Sequence, residues 1–183
     1  MSILVLSGST RAQSLNTRLA RTVAGLLPGA TVDADLARLP FYDADVDAAG
    51  APEQVEGLRA AVHAADLVVV VTPEYNGYVP GVLVNALDWL SRPYGRGALR
   101  DKPALALSAS PGSRGAARAL GHLTALLANI GAVVVGAGLA VPHAADSLGE
   151  EVSPELLEQL QAVVTAALAA LEVSEGADEE DAA

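Results

Sequence analysis

The sequence predicts an α/β domain built on a five-stranded parallel sheet with helices on both faces. Three observations predict it. Segments of strand character alternate with segments of helical periodicity along the whole chain. The strand segments are continuous apolar runs, the pattern of strands buried on both faces, rather than alternating apolar and polar residues. The length, 183 residues, suits one domain that buries roughly 70% of its unfolded surface without a disulfide or metal staple.

The elements follow in order. Ile3-Leu4-Val5-Leu6 is a β-prone run that ends in Ser7-Gly8-Ser9-Thr10. Leu15, Leu19, Val23 and Leu26 recur at helical spacing, and Pro28-Gly29 stops that helix. Thr31 to Leu36 alternates weakly and reads as the second strand, and residues 39–50, rich in Asp, read as loop. Pro52 to Ala65 reads as a short helix, and Leu67 to Val71 is the strongest strand. Pro80 to Ser91 is helical, Ala104 to Leu107 a fourth strand, Ala116 to Leu127 a helix and Val133-Val134-Val135 a fifth strand. Ser153-Pro154-Glu155 opens the last helix with an N-cap, a proline at the first helical position and an early acid. Leu156, Leu160, Val163, Ala167 and Leu171 form its apolar stripe. Right-handed crossovers make the economical arrangement flavodoxin-like, a doubly wound sheet of strand order 2-1-3-4-5. Residues 1–171 are then one domain. Residues 172–183 carry six acids, no base and one hydrophobe larger than alanine, Val173, which predicts a disordered acidic tail.

Composition removes several chemistries. Cysteine is absent, so thiolate nucleophiles, Cys-ligated zinc and iron–sulfur clusters are excluded. His63, His122 and His143 do not sit at metal-ligand spacing, and no metal is expected. The net charge of −11 argues against a nucleic-acid partner. No apolar run reaches the ~18–20 residues of a membrane span, and no basic segment precedes the first strand. A cytoplasmic protein is expected.

Ligands of doubly wound sheets bind beyond the carboxyl ends of the strands, where three loops converge. The first, Gly8 to Asn16, offers hydroxyls at Ser9, Thr10 and Ser14, the Asn16 amide, the Arg11 guanidinium and free N–H groups at a helix start. These are phosphate donors. Neither a Gly-Lys-Ser/Thr nor a Gly-x-Gly-x-x-Gly pattern occurs there, and a single arginine suits one terminal monophosphate. The second loop, Thr72 to Gly81, holds Tyr75 and Tyr78, two prolines and two glycines. It suits a flat heteroaromatic ring, to which the N–H groups of residues 75–77 would donate. A hairpin turn at Asn76-Gly77 is set aside because a helix, not a strand, follows. The third loop, Ser108 to Gly115, is made of small residues that let another group approach closely.

Several stretches together resemble the NAD(P)H-dependent FMN reductase family. They are Gly8-Ser9-Thr10-Arg11 with Ser14 and Asn16, Pro73-Glu74-Tyr75-Asn76-Gly77, Pro80-Gly81-Val82-Leu83, and Asn85 through Pro93. The similarity covers about residues 3–145. It implies a flavodoxin-like fold, bound FMN and a homodimer or tetramer. It implies that Ser9, Arg11, Ser14 and Asn16, with Leu15 among them, hold the FMN phosphate. Pro73, Glu74, Tyr75, Asn76 and Gly77 would hold the ribityl chain and ring, while Ser110, Gly112 and Gly115 border the ring. The chain departs from the family at Val84, Ala116 and Thr124, where relatives carry Lys, Gly and Arg. The implied activity passes hydride from NADPH or NADH through FMN to a small acceptor such as a quinone, free flavin, azo compound or chromate. Redox chemistry must come from the cofactor, and no side chain is assigned as catalytic acid or base. Glu74 is expected to hold its loop by accepting backbone or cross-subunit donors. The alternative is a non-enzymatic FMN-binding electron carrier or regulatory module.

The helix after the second loop adds an expectation about assembly. Leu83, Leu87 and Leu90 form one apolar face, and Val82, Ala86 and Trp89 a second beside it. A monomer's surface helix needs an apolar arc of only ~100°, and this one is about twice as wide. A homodimer through residues 81–92, with Trp89 against the partner, is predicted. Packing of residues 93–102 over Trp89 within one chain is the alternative.

Overall fold

The computed structural model describes residues 1–181, with side-chain surroundings through Leu171. Its strands are β1 (Ile3–Ser7), β2 (Ala30–Asp33), β3 (Leu67–Thr72), β4 (Pro103–Ala109), β5 (Val133–Val134) and β6 (Leu139–Val141). The helices are α1 (Leu15–Leu26), α2 (Ala44–Ala49), α3 (Glu53–Ala64), α4 (Gly81–Leu90), α5 (Ala117–Asn129), α6 (Ala144–Ser147) and α7 (Pro154–Asp181). All strand pairings are parallel, in the order β2-β1-β3-β4-β5. Every residue of β1 and β3 is buried, as continuous apolar runs require.

The sheet has a sixth strand, which the five-stranded expectation lacked. β5 pairs with β4 at Pro103 and Ala104, while β6 pairs with it at Leu107 to Ala109. Two short strands therefore share the sheet position read as one. Gly136 and Gly138, at φ +71° and +68°, bend the chain between them. A Cβ on Gly138 would stand 2.6 Å from the Ala106 carbonyl oxygen, so the bend presses against β4. α2, inside the predicted loop, also went unread. Asp43 caps it by accepting from the Asp45 and Val46 N–H groups, but it buries no residue and leaves no apolar period.

Alternate residues of the strands face opposite helical layers. Leu4, Leu6, Val68, Val70, Ala104 and Ala106 pack with α3, α4 and α5. Ile3, Val5, Leu67, Val69, Val71, Leu105 and Leu107 pack with α1 and α7. On α7 the inward residue is Val164 rather than Val163, and Ser153 Oγ caps the helix by accepting from the Leu156 N–H. The acidic tail expected at 172–183 lies outside the residues whose side chains are described.

α4 departs from expectation most instructively. Trp89 is fully buried within one chain, in the same core cluster as Ala98 and Leu99. The segment just before α2 folds over it. Trp89 Nε1 donates to the Pro40 carbonyl at 2.8 Å, and Asn85 Nδ2 donates to the same oxygen at 2.9 Å. Asn85 Oδ1 accepts from the Tyr42 N–H, and the Tyr42 ring meets Trp89 edge-on at 5.0 Å. Arg59 of α3 lies 5.9 Å from the indole centroid and donates to the Trp89 carbonyl. Burial, the largest influence on Arg59, works against its charge. Hydrogen bonds to Asp47 and Glu56 more than offset it and hold the guanidinium above its ordinary value. The wide apolar arc is therefore satisfied by the chain's own loop.

Candidate functional site

The carboxyl ends of β1, β3 and β4 deliver the three loops to one place. Gly8 makes the first turn possible: a Cβ there would stand 2.8 Å from Leu83 Cδ2, so the loop leaves β1 pressed against α4. Among the described residues, the backbone N–H groups from Ser9 to Gln13, and of Leu15 and Asn16 in the first turn of α1, have no protein acceptor. The Ser9 side chain is 5% exposed and also makes no hydrogen bond to the protein. Ser14 caps α1 by accepting from the Thr17 N–H at 3.1 Å. Arg11 is exposed, its guanidinium anchored on the Gln13 carbonyl.

Asn16 lines the cavity and also does a job the sequence does not show. Its Oδ1 accepts from the Ala109 N–H at 2.9 Å and its Nδ2 donates to the Ala109 carbonyl at 3.0 Å. The side chain thus locks α1 to the end of β4, leaving one amide hydrogen for a ligand.

The second loop closes as the hairpin set aside above. Tyr75 and Tyr78 exchange both backbone hydrogen bonds at 3.0 Å. Asn76 and Gly77 sit between them at φ +53° and +76°, the conformation of a two-residue type I′ turn. The hairpin is one residue pair deep, which is why a helix can still follow. Its geometry consumes the Tyr75 N–H, and among the described residues those of Asn76 and Gly77 have no protein acceptor. Tyr75 and Tyr78 remain about half exposed. Glu74 Oε2 accepts from the Ala119 N–H at 3.1 Å. That bond ties the second loop to α5, whose own N-cap residue, Ala116, caps nothing through its side chain.

In the third loop, Ser110 Oγ accepts from the Gly112 N–H, and the Ser108 hydroxyl donates to the Gly115 carbonyl. Gly115, at φ +58°, backs onto Val141 and Pro142, where a Cβ would stand 2.6 Å from the nearest backbone atom. The loops together enclose a cavity of about 100 Å³ walled by Ser9, Arg11, Ser14, Leu15, Asn16, Pro73, Glu74, Tyr75, Ala109, Ser110 and Pro111. The structure thus gathers nine of the expected residues and adds Ala109 and Pro111, which carry no polar side chain to betray them. Asn76, Gly77, Gly112 and Gly115 lie outside this wall. Among the described residues no group of three or more His, Asp or Glu side chains could hold a metal.

The profile of the family described as NADPH-dependent FMN reductase matches residues 1–146. The chain belongs to that family. Among its relatives, an NAD(P)H-dependent FMN reductase of Pseudomonas aeruginosa is 44% identical over 123 residues, 66% of either chain. A quinone reductase of Escherichia coli is 42% identical over 139 residues, 74% of this chain and 73% of that one. The match spans 62% of the length of a Pseudomonas putida quinone reductase. The solved structure of FerB, a flavoenzyme NAD(P)H:(acceptor) oxidoreductase from Paracoccus denitrificans, superposes with a TM-score of 0.82 at 32% identity. It covers 93% of this chain and 97% of its own.

The family's cofactor, FMN, can be tested against these residues. A single phosphate monoester needs several N–H and O–H donors and one compensating charge. The unpartnered N–H groups, the free Ser9 hydroxyl and Arg11 supply that set. The first loop would hold the phosphate, and Tyr75, the aromatic in the cavity wall, would meet the ring. The residues fit the group.

Proposed function

We propose that this chain is an FMN-dependent NAD(P)H oxidoreductase that reduces a small acceptor such as a quinone, free flavin, azo compound or chromate. The observation that carries the reading is the phosphate-sized cavity of unpartnered donors beside a rigid Tyr75–Tyr78 hairpin. Bound FMN supplies the hydride-accepting and hydride-donating chemistry. The protein's residues do the rest. Residues 9–16 hold the phosphate, Glu74 and Asn16 brace the loops, and the free N–H groups of Asn76 and Gly77 offer hydrogen bonds to a ring that gains negative charge.

The purified protein is expected to be yellow with one FMN per chain and to bleach on adding NADPH or NADH without a second protein. Arg11→Ala removes a charge-assisted contact worth ~1.5–3 kcal/mol and should weaken FMN binding roughly ten- to a hundredfold by flavin-fluorescence titration. Unchanged affinity would unseat the first loop as the phosphate site. A yellow protein indifferent to both nicotinamides would be an electron carrier instead. Steady-state rates against quinone, azo dye, chromate and free FMN identify the acceptor.

Residues 1–171 form the flavin-binding unit in this reading, with 172–183 an acidic appendage and the whole working in the cytoplasm. No helix among the described residues is long and apolar enough to cross a membrane. A homodimer remains the reading, with its interface moved from the apolar arc of residues 81–92 to exposed aromatics at the end of α4. Phe41 and Tyr94, two of the chain's six aromatic residues, flank the end of α4 at 88% and 89% exposure, an outlay of apolar surface that a partner would cover. Replacing both with Ser should shift sedimentation toward monomer while the fold is kept. A double variant that still sediments as a dimer would place the interface elsewhere.

A further inference from the structure

The chain's charge is divided in a way its total conceals. All 22 acids lie in residues 33–101 and 146–183, and residues 1–32 and 102–145 contain none. The second acid-free stretch runs from β4 through β6 and carries Arg114 and Arg118. Both are exposed, and neither has an ion-pair partner among the described residues. Arg118 lies along the hairpin tip, its Nη1 3.9 Å from where a Cβ on Gly77 would stand. One turn further along α5, the exposed His122 ring packs tilted against Tyr78, at 4.4 Å and 43°. The nearby carboxylate, Glu74, is engaged by the Ala119 N–H. An unpaired guanidinium and an exposed aromatic pair thus form a shelf immediately beside the hairpin of the candidate flavin site, in a locally basic part of an acidic protein.

We propose that Arg118, with the Tyr78–His122 pair, receives the phosphate-bearing adenosine half of the nicotinamide donor. This rests on the oxidoreductase reading above and adds the residues that recognise the donor. The chemistry of the shelf selects the ligand. Guanidinium binds phosphate through paired N–H donors, and stacked aromatic faces accept a purine. A dinucleotide carries both groups at a distance from its reactive ring, so its far end can rest on the shelf while its nicotinamide reaches the flavin. Among those acceptors a quinone has neither group, so with a quinone as acceptor the shelf serves the donor.

The test uses FMN-loaded protein and the unreactive analogues tetrahydro-NADPH and tetrahydro-NADH, with binding read by calorimetry. Arg118→Ala should raise the dissociation constant of the NADPH analogue about tenfold or more while FMN content stays at one per chain. In the wild type, raising ionic strength should weaken binding, and the slope should flatten in the variant. A loss confined to the NADPH analogue places the 2′-phosphate on Arg118, and an equal loss for both analogues places the diphosphate there. Unchanged affinity in both Arg118→Ala and Arg118→Glu overturns the proposal, as does a wild type that binds neither analogue. A wild type that binds the analogue but oxidises neither nicotinamide leaves the shelf standing and defeats the oxidoreductase reading.

Discussion

Trp89→Ala should cost about 3–5 kcal/mol of folding stability, a large share of the roughly 5–15 kcal/mol that holds a typical domain folded. The indole fills the space between α4, α3 and the segment around Pro40, and no solvent reaches it. Its removal opens a cavity that two walls cannot close. α4 is fixed to the sheet through Leu83, Leu87 and Leu90, and α3 is tied to α2 by the Arg59–Asp47 ion pair. The Pro40 carbonyl keeps its bond from Asn85, so loss of the Trp89 donor adds only a modest increment to the cavity term. The measurement is urea denaturation followed by circular dichroism, because Trp89 is the chain's one tryptophan and fluorescence would vanish with it. A stable, folded monomer from this variant would return Trp89 to a subunit interface.

Gly115→Ala should lower stability by about 2–4 kcal/mol and weaken flavin binding at least tenfold. Two penalties coincide. The residue sits at φ +58°, where an L side chain is strained, and its Cβ would stand 2.6 to 2.8 Å from backbone atoms of Ala140, Val141 and Pro142. Backbone cannot swing aside as a side-chain end can. The third loop must lift from β6, taking with it the Ser108-to-Gly115 hydrogen bond and the Ser110 and Pro111 wall of the cavity. For a domain of this size the melting temperature falls by roughly 5–15 °C. Gly112→Ala is the control, since its nearest non-neighbouring atom is the Ser110 oxygen at 3.5 Å. If both variants melt alike and hold flavin alike, close packing on β6 does not set the loop.

These two residues mark where sequence reasoning stopped. That Gly115 borders the flavin ring comes from the family resemblance alone, because small residues in a loop at the ligand end of the sheet look the same whether a ligand or the chain itself approaches them. The crowded neighbour is β6, and β6 was hidden by the glycines that split it from β5. Asn16 shows the same limit, since nothing in the sequence tells that its amide also pairs with the Ala109 backbone. The hairpin at Asn76-Gly77 was argued away although its dipeptide is the strongest short-range signal for such a turn. A helix follows at Gly81, but a hairpin one pair deep needs no second strand of any length.

The sequence by itself determined the layered fold, the strand order, the donor-rich first loop and the family. Each is written in local terms: apolar runs buried on two faces, helical spacing of leucines, donor-rich residues at a helix start, and a second motif of unusual composition. Only the tertiary structure decided what covers Trp89, which donors of the three loops remain free, and that Arg118 stands beside Gly77. Those facts depend on which distant segment arrives against a given surface. Pro40 meets Trp89 across 49 residues of chain, and Asn16 meets Ala109 across 93. The free energy of such a meeting belongs to both partners at once, so neither stretch of sequence carries a sign of it.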